Sequence, residues 1–264
     1  MIGVIAEHLK THRHQLGKHA LFIGSAVKIP PKDQLVLTSL ERMALKWAGD
    51  RVADLEGTEQ VLAALDLMAA EVTDHRERCR LLREEVGEKA RPAEGHVRLS
   101  RLVKDGYYST IFVSEPDDML ERALHAQHLE PDKDYHLLVG GLDDPEEINV
   151  ALAESTRPAL VKCGGDWTRD FLPLSRAEIS RIAGDMHKVI QESFKIFSVF
   201  VAMTEREDAF LAQVPKEGAR IFWINTLIPM ANEELYDELR IENPASAEYH
   251  RYQPHVIELL EARH

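Results

Sequence analysis

Five short apolar runs are the feature that most constrains how this chain folds. They lie at residues 20–23, 109–113, 159–161, 196–201 and 220–224. Apolar runs of this length suit strands that are buried on both faces, and helical patterns separate them along the chain. Strands that alternate with helices form a parallel sheet covered by helices on both faces. The pattern therefore predicts an α/β fold, and residues 135–139 are a candidate for a further strand.

A long stretch without strands follows the first apolar run. Between about residues 31 and 92, apolar residues recur with the spacing of helix faces. The first face consists of Val36, Leu40, Met43 and Trp47, and the second of Val61, Leu65, Met68, Val72, Cys79, Leu82 and Val86. We therefore predict a helical lobe at about 31–92, inserted after the first strand of a Rossmann-like sheet, and one domain over residues 1–264.

Two local signals indicate where helices begin. Ser175 precedes Glu178 by three residues, which is the spacing of a capping box, so each side chain is expected to accept from the other residue's amide. The acidic run 143–147 is expected to be the solvated start of another helix. These signals place one helix before and one helix after the strand at 159–161.

The charge balance and the cysteine content exclude several classes of function. The chain has 264 residues and a formal net charge of -13 at pH 7, whereas binding to phosphate backbones needs clustered Lys and Arg. We therefore expect no direct contact with nucleic acid. Two cysteines without a CxxC pair predict neither a zinc site nor disulfides. Because no long apolar run and no secretory signal are evident, we expect a cytoplasmic protein that does not span a membrane.

Ligand-binding residues in open α/β sheets lie beyond the carboxyl ends of the strands. Three loops occupy that position here, at residues 24–27, 114–117 and 162–166. Gly24 allows a close approach of the backbone to a phosphate, which amides at a following helix start hold. A tight turn after the strand explains the same glycine, so both interpretations stay open.

Two groups of side chains in these loops have alternative explanations. Cys163 is a candidate nucleophile, but we favour a free cysteine packed in the core. Glu115 and Asp117 are a candidate metal-binding or acid/base pair. Acidic residues also suit the positive end of a helix dipole, with Pro116 in the first turn, and we favour this explanation.

Taken together, the three loops resemble those of the sirtuin family, and in particular its divergent bacterial sirtuin-like branch. The similarity extends from about His19 to Asn225 and rests on the order and spacing of the motifs. The segment 22–28 resembles the family's first strand and its Gly-Ala-Gly-x-Ser loop. The segment 106–124 resembles one that ends Thr-Thr-Asn-x-Asp-x-Leu-Leu-Glu, and the segment 161–166 resembles Val-Lys-Leu-His-Gly-Asp.

The resemblance implies a fold that binds NAD. Active members of the family break the bond between nicotinamide and ribose; some deacylate lysine, and many bacterial relatives hydrolyse NAD, often in phage defence. An Asn holds the ribose and water, a His is the general base, and a Gly-rich loop holds the phosphates. The positions that the resemblance assigns to cofactor binding are Gly24, Ser25, Ala26, Lys28, Asp117 and Thr204.

The family's catalytic positions are not retained. Glu115 stands at the Asn position and Gly164 at the His position, while Ala26 replaces the second glycine of the phosphate loop and Lys28 its serine. Loss of a general base costs about 10²–10⁴ in rate. We therefore assign no catalytic residue and no certain cofactor, and the ligand that the resemblance implies is NAD or a related nucleotide.

Two classes of function follow from this pattern. The first is a pseudoenzyme, a sirtuin-like scaffold, sensor or partner-binding unit, for which we expect a protein partner or a second copy of the chain. The second is an NAD hydrolase with displaced catalytic groups, in which Glu115 is the base or His136 moves into the site. The residues at positions 115 and 164 favour the first.

Overall fold

The computed structural model describes residues 7, 9–11, 19–25, 38–87, 90–154, 156–195, 197–201, 203, 205–215 and 220–224. Six strands form one sheet in which every neighbouring pair runs parallel. The strands are β1 (His19–Ile23), β2 (Thr110–Val113), β3 (His136–Val139), β4 (Ala159–Lys162), β5 (Phe197–Val201) and β6 (Arg220–Ile224). Their order across the sheet is β3-β4-β2-β1-β5-β6. All five predicted strands and the further candidate are present, so the predicted Rossmann-like α/β fold is confirmed.

Burial explains why the central strands consist mainly of apolar residues. Every residue of β1, β2 and β4 is buried, whereas the first three residues of the edge strand β3 are half-buried. Phe22 lies in register with Phe112 on one side and Phe200 on the other. The ring centroids of these two residues are 5.9 and 5.8 Å from that of Phe22. Three aromatic rings therefore cover one face at the middle of the sheet.

Helices of the described residues connect these strands. They are α1 (Ser39–Ala48), α2 (Gly57–Glu71), α3 (His75–Val86), α4 (Glu94–Lys104), α5 (Met119–Ala126), α6 (Pro145–Glu154), α7 (Arg176–Asp185), α8 (His187–Ser193) and α9 (Asp208–Leu211), with short 3-10 helices at Gly49–Val52, Trp167–Arg169 and Glu205–Glu207. The predicted capping box is confirmed at the start of α7, where Ser175 and Glu178 exchange both side-chain bonds. No helix in the described ranges is long and apolar enough to cross a membrane.

The helices divide between the two faces of the sheet. Leu102 of α4 and Leu120 of α5 pack in one cluster with Leu21 of β1. Ile182 of α7 and Phe210 of α9 pack in another with Phe22, the next residue of β1. Successive residues of a strand point to opposite faces, so these two clusters lie on opposite sides of the sheet. This division of the helices is the one expected when all the strand-helix-strand connections have the same handedness.

The segment inserted after β1 is helical, as predicted, but two details of the prediction are wrong. The expected continuous helix from residue 61 to 86 is broken between α2 and α3. Asp74 begins α3 by accepting a bond from the Arg76 amide at 2.9 Å, which is a role that aspartate fills better than a place inside a helix. Trp47 is 39% exposed and its indole donates to Glu71, so it does not share the buried face of Leu40. Val36 lies outside the described residues.

A buried arginine joins the inserted helices to the start of α7. Arg78 of α3 is 2% exposed, and its guanidinium donates to the carbonyl oxygens of Val72 and Ala69 at the end of α2, at 2.5 and 2.9 Å. It also donates to the carbonyl of Leu172 at 3.0 Å and to the carboxylate of Glu178 at 2.8 Å. A buried cation is tolerated only with such partners. Arg78 therefore fixes α3 against the start of α7.

Candidate functional site

The path of the chain creates two switch points at the carboxyl edge of the sheet. Between β1 and β2 the chain passes the inserted helices α1–α3 and then α4, which lies on the same face as α5 after β2, whereas α7 after β4 and α9 after β5 lie on the other face. The pairs β1/β5 and β2/β4 are neighbours in the sheet, so the last helices of the connections that leave each pair lie on opposite faces. Ligands of open α/β sheets bind where connections diverge in this way. We call these places the β1/β5 and β2/β4 switch points.

Backbone atoms fill the β2/β4 switch point at the position that the resemblance assigns to the catalytic histidine. A Cβ atom added to Gly164 would lie 1.8 Å from the carbonyl oxygen of Ser114 and 2.8 Å from its carbonyl carbon. The preceding amide, of Cys163, donates to Val113 at 2.7 Å and so continues the pairing of β2 with β4. Any side chain at position 164 would displace the main chain. Glycine is required here by a close backbone approach.

A fully buried lysine lies beside this switch point. Lys162, the last residue of β4, is 0% exposed. Its Nζ atom lies 2.6 Å from the Glu121 carboxylate and 3.4 Å from that of Asp166, and it donates to the carbonyl of Asp117 at 2.7 Å. Burial acts to lower the pKa of Lys162, but the adjacent carboxylates outweigh it and raise the pKa above the usual range. The ammonium group of Lys162 therefore stays protonated, and the adjacent carboxylates balance its charge inside the protein.

In the acidic pair predicted after β2, Asp117 takes part in a helix start and Glu115 is buried before it. Asp117 accepts a bond from the Met119 amide at 3.1 Å and so contributes to the start of α5, in keeping with the favoured explanation. Asp118 rather than Glu115 or Pro116 directly precedes the helix, so Pro116 is not in the first turn as expected. Glu115 is buried, with 9% of its surface exposed. Among the described residues no group of three His, Cys, Asp or Glu side chains is arranged to hold a metal ion.

A carboxylate from a distant segment lies at the β1/β5 switch point. The Gly24 amide donates to Val201 at 2.8 Å, which extends the pairing of β1 with β5 by one residue. The next amide, of Ser25, donates to the Oε1 atom of Glu207 at 3.2 Å. Ser25 and Glu207 are 2% and 1% exposed. The structure thus brings together the two described residues of the predicted phosphate loop and one residue that the sequence analysis missed.

Three of the predicted cofactor-binding positions have no structural outcome. Ala26, Lys28 and Thr204 lie outside the described residues. Of the others, Gly24 and Ser25 meet at the β1/β5 switch point, while Asp117 lies with Glu115 and Gly164 at the β2/β4 switch point. Glu207 had no sequence signal, because it belongs to the run Glu-Arg-Glu-Asp at 205–208, and charged runs are usually solvated.

Cys163 has the surroundings of a packing residue. Its side chain is 0% exposed and belongs to the same cluster as Phe22 and Phe112. Burial raises the pKa of Cys163, and the negative charge of Glu207 raises it further. The thiol stays protonated at neutral pH, and a protonated thiol is a poor nucleophile.

The histidine suggested as a substitute base lies at the wrong end of the sheet. His136 is the first residue of β3 and is in register with Ala159, the first residue of β4. Its Nε2 atom is 3.1 Å from the Arg157 guanidinium. Gly164 lies two residues beyond the end of β4, so the length of the strand separates the two positions. His136 is therefore not a substitute base at this site.

Comparison with known proteins gives a single kind of match. No protein-family model matches the chain, and neither does any curated protein. Among solved structures, the chain is similar to one described as "Structural Basis for the Mechanism and Regulation of Sir2 Enzymes", with 11% identity and a TM-score of 0.40 over 98% of this chain and 97% of that chain. A superposition this loose supports no conclusion about function, and the fold stands on the strand order and pairing described above.

Proposed function

We propose that this chain is a sirtuin-like domain without NAD-cleaving activity that serves as a scaffold, sensor or partner-binding unit. The observation that carries the proposal is the contact of Gly164 with the Ser114 carbonyl. A base needs a side chain that reaches the substrate, and backbone occupies the space in which that side chain would begin. The main chain around position 164 thus leaves no room for a side chain, so a histidine could not be restored there by one substitution alone.

The charges at the site support the same proposal. Glu115, at the position of the family's ribose-binding Asn, brings a carboxylate toward a ligand that carries two phosphates. The cation of Lys162 is bound to Glu121 and Asp166 and so does not offset that charge for a ligand. Like charges in a medium of low dielectric repel each other strongly. Binding is disfavoured before any chemical step.

The remaining parts of the proposal rest on the resemblance and on composition. We propose a cytoplasmic protein with a protein partner or a second copy as its binding partner, and a role in bacterial defence, as in relatives that hydrolyse NAD. Both cysteines are free and buried, which is compatible with a reducing compartment. The competing function is an NAD hydrolase that uses Glu115 as its base.

Incubation of the purified protein with NAD, followed by an assay of free nicotinamide, tests the proposal. We expect no release above the level of a blank without protein. Steady release that disappears in Glu115→Ala would establish the hydrolase instead. Calorimetry with NAD then separates the remaining roles, because a sensor binds NAD without turnover, whereas a scaffold shows no heat of binding.

A further inference from the structure

The loop after β1 begins where parallel α/β sheets bind a nucleotide phosphate, and a carboxylate of the protein itself contacts the loop there. In parallel α/β sheets the amides that follow the first strand hold phosphate groups at a switch point. Here the first described amide of that loop beyond the strand pairing, that of Ser25, donates to the Glu207 carboxylate at 3.2 Å. The two residues are 182 positions apart in the sequence, so the contact depends on the fold as a whole.

We infer that the Glu207 carboxylate occupies the phosphate subsite of the loop after β1 and keeps nucleotides out of it. This inference rests on the proposed function, because it treats the loop as the counterpart of a nucleotide-binding loop. It adds a cause of weak binding that is independent of Gly164 and Glu115.

The burial of Glu207 supports this role. A carboxylate that is 1% exposed loses its hydration and needs hydrogen bonds from the protein. The Ser25 amide supplies one such bond, and a bond from an amide to an anion is stronger than one between neutral groups. A phosphate oxygen at this place would accept from the same Ser25 amide, so phosphate and Glu207 compete for it.

The position of Glu207 relative to the sheet agrees with an occupied subsite. Its side chain is 1% exposed and contacts the Ser25 amide just beyond β1, so it points inward at the carboxyl edge of the sheet. Its charge also raises the pKa of the Cys163 thiol, which follows β4. Met203, from the same segment after β5, is 1% exposed and packs in the core cluster with Phe22 and Cys163.

Substitution of Glu207 gives a direct test with a simple probe. ADP carries the two phosphates but no nicotinamide, so its binding is independent of any cleavage reaction. We expect Glu207→Ala to bind ADP at least about tenfold more tightly than the wild type, because the variant removes both the negative charge beside the phosphates and the group that competes for the Ser25 amide. Glu192→Ala is the matched control: its carboxylate is exposed and pairs with Lys195 on the surface, and we expect it to leave ADP binding unchanged.

The outcomes distinguish this inference from the proposed function. Equal ADP affinities in folded Glu207→Ala and wild type would overturn the inference, as would tight ADP binding by the wild type. Release of nicotinamide by the wild type would overturn the proposed function. If Glu207→Ala does not fold, hydrogen exchange of the Ser25 amide in the wild type decides. Slow exchange and an amide NMR shift unchanged by added inorganic phosphate support the inference, and fast exchange or a phosphate-induced shift contradicts it.

Discussion

The two switch points of this sheet are closed by different parts of the chain. At the β2/β4 switch point the main chain at Gly164 lies against the Ser114 carbonyl. Beside it is a buried ion group, which consists of Lys162, Glu121 and Asp166. At the β1/β5 switch point one side chain, Glu207, meets the Ser25 amide. Backbone closure depends on the register of two strands, so no single substitution reopens it. Side-chain closure depends on one carboxylate, so one substitution removes it.

The largest expected effect concerns the ion group at the β2/β4 switch point. Lys162→Met should lower the free energy of unfolding by about 3–5 kcal/mol, because Glu121 and Asp166 would stay buried without their cation. Urea denaturation followed by circular dichroism measures the loss. Lys188→Met, which removes an exposed partner of Glu146, should change the unfolding free energy by no more than about 0.5 kcal/mol. Similar losses in the two variants would show that the ion group does not stabilise this edge.

A methyl group at Gly164 tests the backbone closure itself. Gly164→Ala should destabilise the protein by about 3 kcal/mol, since the new Cβ atom would press on the Ser114 carbonyl and displace the main chain. In Gly184→Ala, within α7, the new Cβ atom meets no neighbour within 4 Å, and this variant should be neutral or more stable by up to about 1 kcal/mol. Thermal melts of the two variants measure this difference in stability. A stable Gly164→Ala would mean that the two loops are farther apart than described.

The side-chain closure should contribute less to stability. We expect Glu207→Gln to cost about 1 kcal/mol or less, because the amide oxygen of glutamine still accepts from the Ser25 amide. Its melting temperature should therefore remain above that of Gly164→Ala. The reverse order of melting temperatures would show that the side-chain contact at the β1/β5 switch point stabilises the protein more than the backbone contact at the β2/β4 switch point.

The smallest effect is expected at the opposite edge of the sheet. Burial, with a further contribution from the Arg157 charge, lowers the pKa of His136 below its usual 6.5. The unfolded chain then binds the proton more readily than the folded one, so this histidine stabilises the fold above about pH 6.5 and loses that contribution as the pH falls. Comparing the pH dependence of unfolding in the wild type and in His136→Gln isolates the effect. An unchanged profile would remove His136 as its source.

The strands of this fold could be predicted from the sequence, whereas the closure of the site could not. A run such as 20–23 is apolar because β1 is buried on both faces, and that cause is local. The glycine at position 164 was evident, but its contact with Ser114 depends on the register of β2 and β4. Glu207 was missed because its partner, the Ser25 amide, is brought near only by the completed sheet. Trp47 was misplaced because helical spacing does not reveal that the indole bonds to Glu71.

The bonds of Arg78 also restrict how the molecule moves. A swing of the inserted helices away from the start of α7 would pull the guanidinium from the Leu172 carbonyl and the Glu178 carboxylate. A buried charge deprived of its partners costs several kcal/mol, which is a large share of the stability of a typical domain. We therefore expect amide protons of α3 to exchange mainly through global unfolding. The inserted helices and the start of α7 are therefore expected to move as one unit.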